Sequence, residues 1–221
     1  DKASLLFQPI VDLGGAIQPT AIAFDTDGLL WIGLEGHVGL YRPSTKSFET
    51  IEIPSNSRSD RFGTTYTSAV ITLLELDDGM IGVNSTTVFD LRKSQSGNVL
   101  ITPLVDLQEY IASGVTTAIV ANGGLYIGTN RDGLLFVDLT SLEVNQITQG
   151  PGGQDLPSDT ITALLADEDG VWIGTPNGLV YTADSGRTFQ HYTAFSSGLP
   201  SNWIVGLYKS SDGSYWVGTR Q

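Results

Sequence analysis

The chain has 221 residues and a formal net charge of −13, from 24 carboxylates against 11 lysines and arginines. This charge repels phosphate backbones and anionic membrane surfaces, so we expect no nucleic-acid partner. Cysteine is absent, which excludes disulfides, zinc–thiolate sites and thiol nucleophiles. No stretch of 18 or more apolar residues occurs and no signal peptide is visible, so no membrane insertion by this segment is predicted.

One unit recurs along the chain: a short apolar strand, a tight polar turn and a second strand that ends near a glycine. It is clearest in residues 158–178, where Asp167-Glu168-Asp169-Gly170 predicts the turn of a hairpin. Self-similarity at a fixed period indicates a repeat architecture. Five copies are recognised by the glycines that close the second strand, at Gly33, Gly82, Gly128, Gly174 and Gly218.

Each repeat has room for four strands, which we call a to d. In the first repeat we predict strands at 20–24, 29–33, 38–42 and 47–53, and in the fourth at 160–166, 171–174, 178–181 and 188–192. Four consecutive antiparallel strands make one blade of a β-propeller. The sequence therefore predicts one all-β domain over residues 1–221, a propeller of five blades of four-stranded antiparallel sheets. Residues 107–112 are expected to form at most one turn of helix.

The strand order also assigns the connections to two faces. The b–c and d–a connections share one end of the blades, which we call the top face, and the a–b and c–d hairpins share the bottom face. Calcium binding is the functional alternative for the acidic a–b turns, but a tight hairpin offers few converging oxygens. We therefore predict no metal site and no cofactor.

The two ends of the chain bear on closure of the ring. Residues 7–13 resemble residues 101–107, which are predicted as strand d before the third repeat. The N-terminus is thus expected to supply an outer strand d, whereas the chain stops just after strand b of the fifth repeat. One blade is then closed by both termini or incomplete, or these residues are a segment of a longer protein.

Two sets of residues are predicted to be structural. Trp31, Trp172 and Trp216 recur at one repeat position, which indicates packing between blades. Residues 182–189 resemble the Asp-box, S-x-D-x-G-x-T-W, of sialidases and other propellers. The resemblance implies that Asp184 and Gly186 build a turn away from any active face.

The repeats resemble those of the two-component-regulator propeller family, I-x-x-L-x-x-D-x-x-G-x-L-W-I-G-T-x-x-G-L. Residues 161–179 follow this pattern, and residues 198–219 follow it again with the lead-in Gly198-Leu199-Pro200-Ser201-Asn202. The first repeat is also similar to streptogramin-lyase-like propellers. The resemblance implies a bacterial sensor domain outside the cytoplasm, periplasmic or extracellular, that responds to ligands such as glycans.

A binding site is predicted on the top face, because its connections are long, varied and polar. The partner would be a small molecule or glycan, or alternatively another protein. The candidate ligand-binding residues are His37, Arg58, Asp60, Arg61, Tyr66, Tyr110, Asn130, Arg131, Asn177, Trp203 and Arg220.

Two further functions stay open at this point. A carbohydrate-active enzyme or lyase needs two carboxylates about 5–10 Å apart across its substrate, and the top-face candidates are Glu35, Asp60, Asp132, Asp155 and Asp159. The strand-a starts carry no such groups, so no catalytic residue is assigned and an enzyme is not favoured. A protein-interaction scaffold would instead use the top face or the rim.

Overall fold

The computed structural model describes residues 18–54, 69–94, 97–150 and 155–220. These residues form five antiparallel sheets, four of four strands and one of two. Within each sheet the strands lie side by side in chain order, which is the meander of a propeller blade. The predicted fold class is confirmed. No helix among the described residues is long and apolar enough to cross a membrane.

The first three blades are complete. Blade 1 contains β1 (Ala21–Phe24), β2 (Leu30–Gly33), β3 (His37–Arg42) and β4 (Ser47–Glu52). Blade 2 contains β5 (Thr72–Leu76), β6 (Gly79–Val83), β7 (Thr87–Lys93) and β8 (Val99–Asp106). Blade 3 contains β9 (Val115–Ala121), β10 (Gly124–Thr129), β11 (Leu134–Asp138) and β12 (Val144–Ile147).

The last two blades differ in size. Blade 4 contains β13 (Ala163–Ala166), β14 (Val171–Thr175), β15 (Gly178–Thr182) and β16 (Gln190–Tyr192). A short helix, α1 (Ala194–Ser197), follows it. Blade 5 contains only β17 (Ile204–Lys209) and β18 (Tyr215–Thr219) in the described part of the chain. The strand d predicted at residues 7–13 lies outside the described residues.

The predicted strands of blade 4 begin and end within three residues of the observed ones. Strand a starts at Ala163 rather than at 160. The residues before it also bond to neighbouring blades, although the N–H of Thr162 still donates to Gly174 O of β14 at 2.9 Å. The N–H of Ile161 donates to Thr129 O in blade 3 at 2.9 Å, and Thr162 Oγ1 donates to Ile204 O in blade 5 at 2.6 Å. Residues 107–112 form a turn and not a helix.

The apolar core lies between the blades. Blades 1 and 2 enclose one cluster that includes Trp31, Leu40 and Val70. Blades 2 and 3 enclose another around Ile81, Leu107 and Leu125, and a third fills the space between blades 3 and 4. Because these side chains lose nearly all contact with water, burial between blades is the main force that holds the sheets face to face.

The strand-b glycine explains how closely the blades approach. An added Cβ on Gly128 would lie 2.7 Å from Cγ2 of Ile161, and one on Gly174 would lie 2.7 Å from Cγ2 of Ile204. In each case the obstructing isoleucine leads into strand a of the next blade, and both isoleucines are fully buried. The glycine therefore provides space for the following blade and is not required for a special backbone conformation.

The second repeat is shifted by one residue from its predicted alignment. The N–H of Ile71 donates to Val83 O at 2.7 Å, and the same bond in blade 4 runs from Thr162 to Gly174 O at 2.9 Å. Val83, not Gly82, thus occupies the glycine position. Strands a and b of blade 2 pair with the same spacing as in blade 4, with Thr72 opposite Val83 and Ala163 opposite Gly174. The motif glycine of blade 2 therefore stands one residue before the structural position.

An acidic turn residue and a lysine of the next blade connect neighbouring blades on the bottom face. In blade 1, Trp31 Nε1 donates to Asp25 Oδ2 at 2.9 Å, and Lys93 of blade 2 donates to the same oxygen at 3.0 Å. Burial raises the pKa of Asp25, but hydrogen bonds from Trp31, Leu29 and Lys93 outweigh burial and bring the pKa below its usual value. The turn carboxylates therefore have a structural use.

Blade 4 repeats this arrangement. Lys209 of blade 5 donates to Asp167 Oδ1 at 2.6 Å, and Tyr215 donates its hydroxyl to Asp167 Oδ2. These two bonds hold the pKa of the Asp167 carboxyl well below its usual range. Trp172 packs against Tyr215 with ring centroids 5.6 Å apart and ring planes tilted by 53°, so aromatic packing accompanies the charged pair.

Trp216 departs from the predicted packing between blades. Trp31 is 1% exposed, whereas Trp216 is 66% exposed. Trp31 is covered by blade 2 and Trp172 contacts blade 5, but no further blade follows Trp216 among the described residues. The three tryptophans share one repeat position, and the presence or absence of a covering blade among the described residues accounts for their different exposure.

The turn of residues 182–189 is built around the Asp184 carboxylate. Its Oδ1 accepts the N–H groups of Arg187 at 3.0 Å and Thr188 at 2.9 Å, and its Oδ2 accepts the Thr188 hydroxyl at 2.6 Å. Gly186 has a φ of 82°, and a Cβ there would lie 2.3 Å from Cδ1 of Ile147 in blade 3. The turn thus fixes its own backbone and closes against the neighbouring blade.

The Asp184 carboxylate should make stability depend on pH. Bonds from the Thr188 hydroxyl and then its N–H lower the pKa of Asp184 to about 2, below the unfolded value of about 3.9. The contribution is therefore present above about pH 4 and lost as the pH falls through 2. We expect Asp184→Asn to unfold at lower urea concentration than the wild type at pH 6, with the difference shrinking towards pH 2. If the urea midpoints of the wild type and Asp184→Asn differed by the same amount at every pH from 6 to 2, the stabilising role of the Asp184 carboxylate would be contradicted.

Candidate ligand-binding site on the top face

The b–c turns of blades 3 and 4 are organised by the threonine that follows the strand-b glycine. Thr129 Oγ1 donates to Gly133 O at 2.7 Å and accepts the N–H of Asp132 at 2.8 Å. Thr175 Oγ1 donates to Gly178 O at 2.8 Å in the equivalent turn. Both threonines are fully buried. These hydrogen bonds hold the backbone of each b–c turn in one conformation, and the exposed side chains of the turn project from it.

Asp132 ties the b–c turn of blade 3 to the connection from blade 2. Its Oδ2 accepts the N–H groups of Ala112 at 3.0 Å and Ser113 at 2.8 Å, together with the Ser113 hydroxyl at 2.5 Å. Ser113 Oγ in turn accepts the N–H of Arg131 at 2.8 Å. The Asp132 carboxylate thus positions two loops, and this leaves Arg131 exposed at the tip of the turn.

Two other residues complete this group of loops. Gln146 Nε2 donates to Tyr110 O at 3.0 Å and to Asp132 O at 2.8 Å. Thr160 Oγ1 donates to Asn130 O at 2.7 Å from the connection to blade 4. The structure therefore brings together Tyr110, Asn130 and Arg131, three of the predicted residues, around one turn.

The top of blade 4 continues this surface. Asn177 Nδ2 donates to Pro157 O at 3.0 Å, so the b–c turn of blade 4 is joined to the same connection that carries Thr160. Asn177 is exposed. Asn177, which was predicted only to lie on the top face, therefore lies beside the connection that leads from blade 3 to blade 4.

Blade 5 contributes a stacked pair. The guanidinium of Arg220 lies over the ring of Trp203, with Cζ 5.1 Å from the ring centroid, and the N–H of Arg220 donates to Trp203 O at 2.8 Å. Trp203 remains 42% exposed. The guanidinium covers one face of the ring, so the pair presents a positive charge together with the exposed remainder of the ring.

The other predicted residues are one on blade 1 and four that the structure does not describe. His37 lies on blade 1, where its Nδ1 is 3.0 Å from Glu35 O. Arg58, Asp60, Arg61 and Tyr66 lie outside the described residues. The candidate site is therefore the top surface of blades 3 to 5, which we call the 3–5 surface and which comprises Tyr110, Asn130, Arg131, Asn177, Trp203 and Arg220.

Sequence reasoning missed the residues that support this surface. Ser113 and Gln146 hold its loops through the bonds given above, and neither belongs to a motif. Gln146 lies on an outer strand, and a glutamine there has no sequence signature that separates it from a solvated side chain. Thr129 and Thr175 could have been found, because a threonine follows three of the five repeat glycines.

The chemistry of the 3–5 surface favours a polar, negatively charged ligand. Within the part of the chain that the structure describes, no carboxylate forms an ion pair with Arg131 or Arg220. The net charge of −13 disfavours anions at long range, but two guanidinium groups without a carboxylate partner can pair with a carboxylate or sulfate group at close range. No group of three or more potential metal ligands occurs among the described residues.

A separate cavity of about 590 Å³ lies at the outer rim of blade 3. The c–d hairpins of blades 3 and 4 line it, with Asp138, Glu143 and Arg187 among its walls. Of the residues predicted from the sequence only Tyr110 lines this cavity. The cavity therefore shares Tyr110 with the 3–5 surface, and its other walls come from blade 3 and the c–d hairpin of blade 4.

The last two repeats match a known protein family. Residues 155–177 and 198–221 match the model described as two component regulator propeller. These two segments thus match two-component regulator propeller repeats. The prediction made from the same residues is thereby confirmed. No curated protein matches the chain.

Solved structures show the same fold as these regulator propeller repeats. PorZ of Porphyromonas gingivalis, a surface component of the type-IX secretion system, aligns with a TM-score of 0.59 and 16% identity over 92% of this chain and 31% of that chain. The extracellular domain of the putative hybrid two component system BT4673 from B. thetaiotaomicron aligns with a TM-score of 0.50 and 18% identity over 91% of this chain and 33% of that chain. The WD40 domain of Neurospora crassa Pan2 aligns with a TM-score of 0.52 and 15% identity over 96% of this chain and 63% of that chain.

At these identities the likeness concerns the fold alone. The chain spans about a third of the length of the two bacterial structures, at 31% and 33%.

Proposed function

We propose that the chain is a single propeller domain that acts outside the cytoplasm as a ligand-binding sensory module and recognises acidic glycans through the 3–5 surface. The regulator propeller repeats support a sensory role. The BT4673 relative is described as the extracellular domain of a two component system, which supports a periplasmic or extracellular location. The turn at Asp184 has only a structural part in this proposal, as an Asp-box-like element.

The stacked Trp203–Arg220 pair is the observation that carries the ligand class. An aromatic ring offers an apolar face to the C–H groups of a sugar ring, and Tyr and Trp combine such a face with a polar edge. A guanidinium pairs with a carboxylate through two parallel hydrogen bonds. A uronic or sialic acid residue satisfies both groups at once, with Arg131 and Asn177 available to adjoining sugars.

Calorimetric titration with acidic oligosaccharides and their neutral counterparts tests the proposal. We expect acidic members to bind, and binding to weaken with added salt because the contacts are charged and near the surface. Arg220→Gln should lower the affinity about tenfold or more, since a charge-assisted hydrogen bond contributes about 1.5–3 kcal/mol. Trp203→Ala should lower it by a similar factor, because the sugar loses the apolar surface on which it packs.

Arg187→Gln is the matched control, because Arg187 is an exposed arginine on a bottom-face hairpin. It should bind the acidic members like the wild type. Equal affinity for neutral and acidic sugars, or equal losses in Arg187→Gln and Arg220→Gln, would contradict the proposed ligand class.

A further inference from the structure

Blade 5 exposes a face that every preceding blade covers. Register identifies it: Tyr208 pairs with Trp216 in blade 5 as Ala23 pairs with Trp31 in blade 1, and Ala23 and Trp31 pack against blade 2. Tyr208 is 62% exposed and Trp216 is 66% exposed. Val205 lies on the same side, with its Cγ2 3.5 Å from a Cβ built on Gly218, and it too is exposed. We call Val205, Tyr208 and Trp216 the open face of blade 5.

Blade 1 exposes the complementary face. Ile22 pairs with Ile32 as Leu164 pairs with Ile173 in blade 4. Leu164 is 9% exposed because it packs against blade 3, whereas Ile22 is 69% exposed and Phe24 is 61% exposed. We call Ile22 and Phe24 the open face of blade 1.

The glycine contacts show that the open face of blade 5 keeps the shape of a blade interface. A Cβ on Gly174 would meet Ile204 of the next blade at 2.7 Å. A Cβ on Gly218 would meet nothing closer than Val205 of its own blade at 3.5 Å. The space that an incoming aliphatic residue fills in the other interface is therefore open at Gly218.

The two positions that hold a lysine and an aspartate between blades 4 and 5 both hold uncharged residues at the open faces. Lys209 of blade 5 binds Asp167 of blade 4. Phe24 occupies the position of Lys209 in blade 1, since each residue follows the strand-a partner of the repeat tryptophan. Ser210 occupies the position of Asp167, because each forms the first backbone bond of its a–b turn, at 2.8 Å. A charged pair in one interface thus corresponds to a neutral pair, serine with phenylalanine, between the open faces.

We infer that the open face of blade 5 binds the open face of blade 1 of a second copy of this chain. Both faces are exposed in one molecule, so blade 1 of the same copy does not cover blade 5 in this structure. The contact continues the packing seen between consecutive blades and joins two different surfaces, head to tail. It buries three large apolar side chains of one copy against two of the next.

Complementary variants test this contact. The wild type should associate with rising concentration in sedimentation velocity experiments. Tyr208→Lys and Ile22→Lys each block one face, so each alone should stay monomeric, but an equimolar mixture should form a heterodimer through the remaining intact pair of faces. Leu100→Lys is the matched control, since Leu100 is 63% exposed on blade 2, and it should associate like the wild type.

The mixture also reports folding, because two misfolded variants would not restore a defined heterodimer. Trp216→Ser with Phe24→Ser provides a second pair if lysine perturbs either strand. A monomeric wild type at every concentration, or a mixture of the two lysine variants that stays monomeric, would overturn the inference.

Crosslinking separates a second copy from closure within one molecule. The chain has no cysteine, so a double variant with Phe24→Cys and Ser210→Cys carries only the two introduced thiols. These positions correspond to the Lys209–Asp167 contact, and the variant keeps Ile22, Val205, Tyr208 and Trp216. Mild oxidation should give disulfide-linked species of two or more chains on a non-reducing gel. A disulfide confined to one chain would show that blade 1 covers blade 5 of the same molecule and would overturn the inference.

Discussion

Trp31→Ala is expected to lower the free energy of unfolding by about 3–5 kcal/mol, the usual cost of removing a buried tryptophan. Trp31 is 1% exposed and packs in the cluster between blades 1 and 2. Its Nε1 also donates to Asp25 at 2.9 Å. The substitution therefore opens a cavity between two sheets and removes one of the hydrogen bonds that hold Asp25 beside Lys93.

Trp216→Ala supplies the matched control. Trp216 occupies the same repeat position but is 66% exposed, and exposed substitutions usually change stability by less than about 0.5 kcal/mol. Urea unfolding of both variants, at a concentration too low for self-association, gives the comparison. Equal losses for Trp31→Ala and Trp216→Ala would contradict the difference in packing described above.

The repeat pattern predicts the architecture well because it records local requirements. A glycine that admits the next blade, a threonine that closes the b–c turn and an acidic a–b turn each leave a trace at a fixed period. The pattern does not indicate whether another blade packs against a given repeat. Trp31 and Trp216 have the same motif around them, and only the presence of a following blade distinguishes a core residue from an exposed one.

The second repeat shows another limit of the pattern. A glycine at 82 matches the motif by eye, but Val83 occupies the structural position. The pairing of Thr72 with Val83 fixes the register of this blade, and aligning the motif one residue off assigns every side chain to the wrong face. Met80 consequently packs in the cluster between blades 1 and 2, and Ile81 in the one between blades 2 and 3.

The candidate site could be predicted only in outline. Strand order places the b–c and d–a connections on one face, and this was enough to propose Asn130, Arg131 and Asn177. Grouping them required bonds between loops that are distant in sequence, such as Thr160 Oγ1 to Asn130 O at 2.7 Å. The stacking of Arg220 on Trp203 joins residues 17 positions apart at the two ends of one hairpin, which strand order allows but side-chain identity alone does not predict.

Gly128→Ala is expected to destabilise the fold by about 1–3 kcal/mol, the usual cost of overpacking a core. The added Cβ would lie 2.7 Å and 2.9 Å from Cγ2 and Cβ of Ile161 and 3.0 Å from Cγ2 of Thr117. The Ile161 Cβ is attached directly to the backbone, so it cannot move aside without shifting the lead-in to blade 4. The N–H of Ile161 is itself bonded to Thr129 O at 2.9 Å, which opposes that shift.

Gly218→Ala separates this steric effect from the general preference of strands for alanine over glycine. Its Cβ would have 3.5 Å of clearance to the nearest atom, and neither glycine has a positive φ. Because alanine restricts the unfolded chain more than glycine does, Gly218→Ala should leave stability unchanged or raise it by up to about 1 kcal/mol. In thermal or urea unfolding, the midpoint of Gly128→Ala should therefore fall, whereas the midpoint of Gly218→Ala should stay the same or rise. If Gly128→Ala were as stable as Gly218→Ala, the glycine would not be the contact that sets the distance between blades 3 and 4.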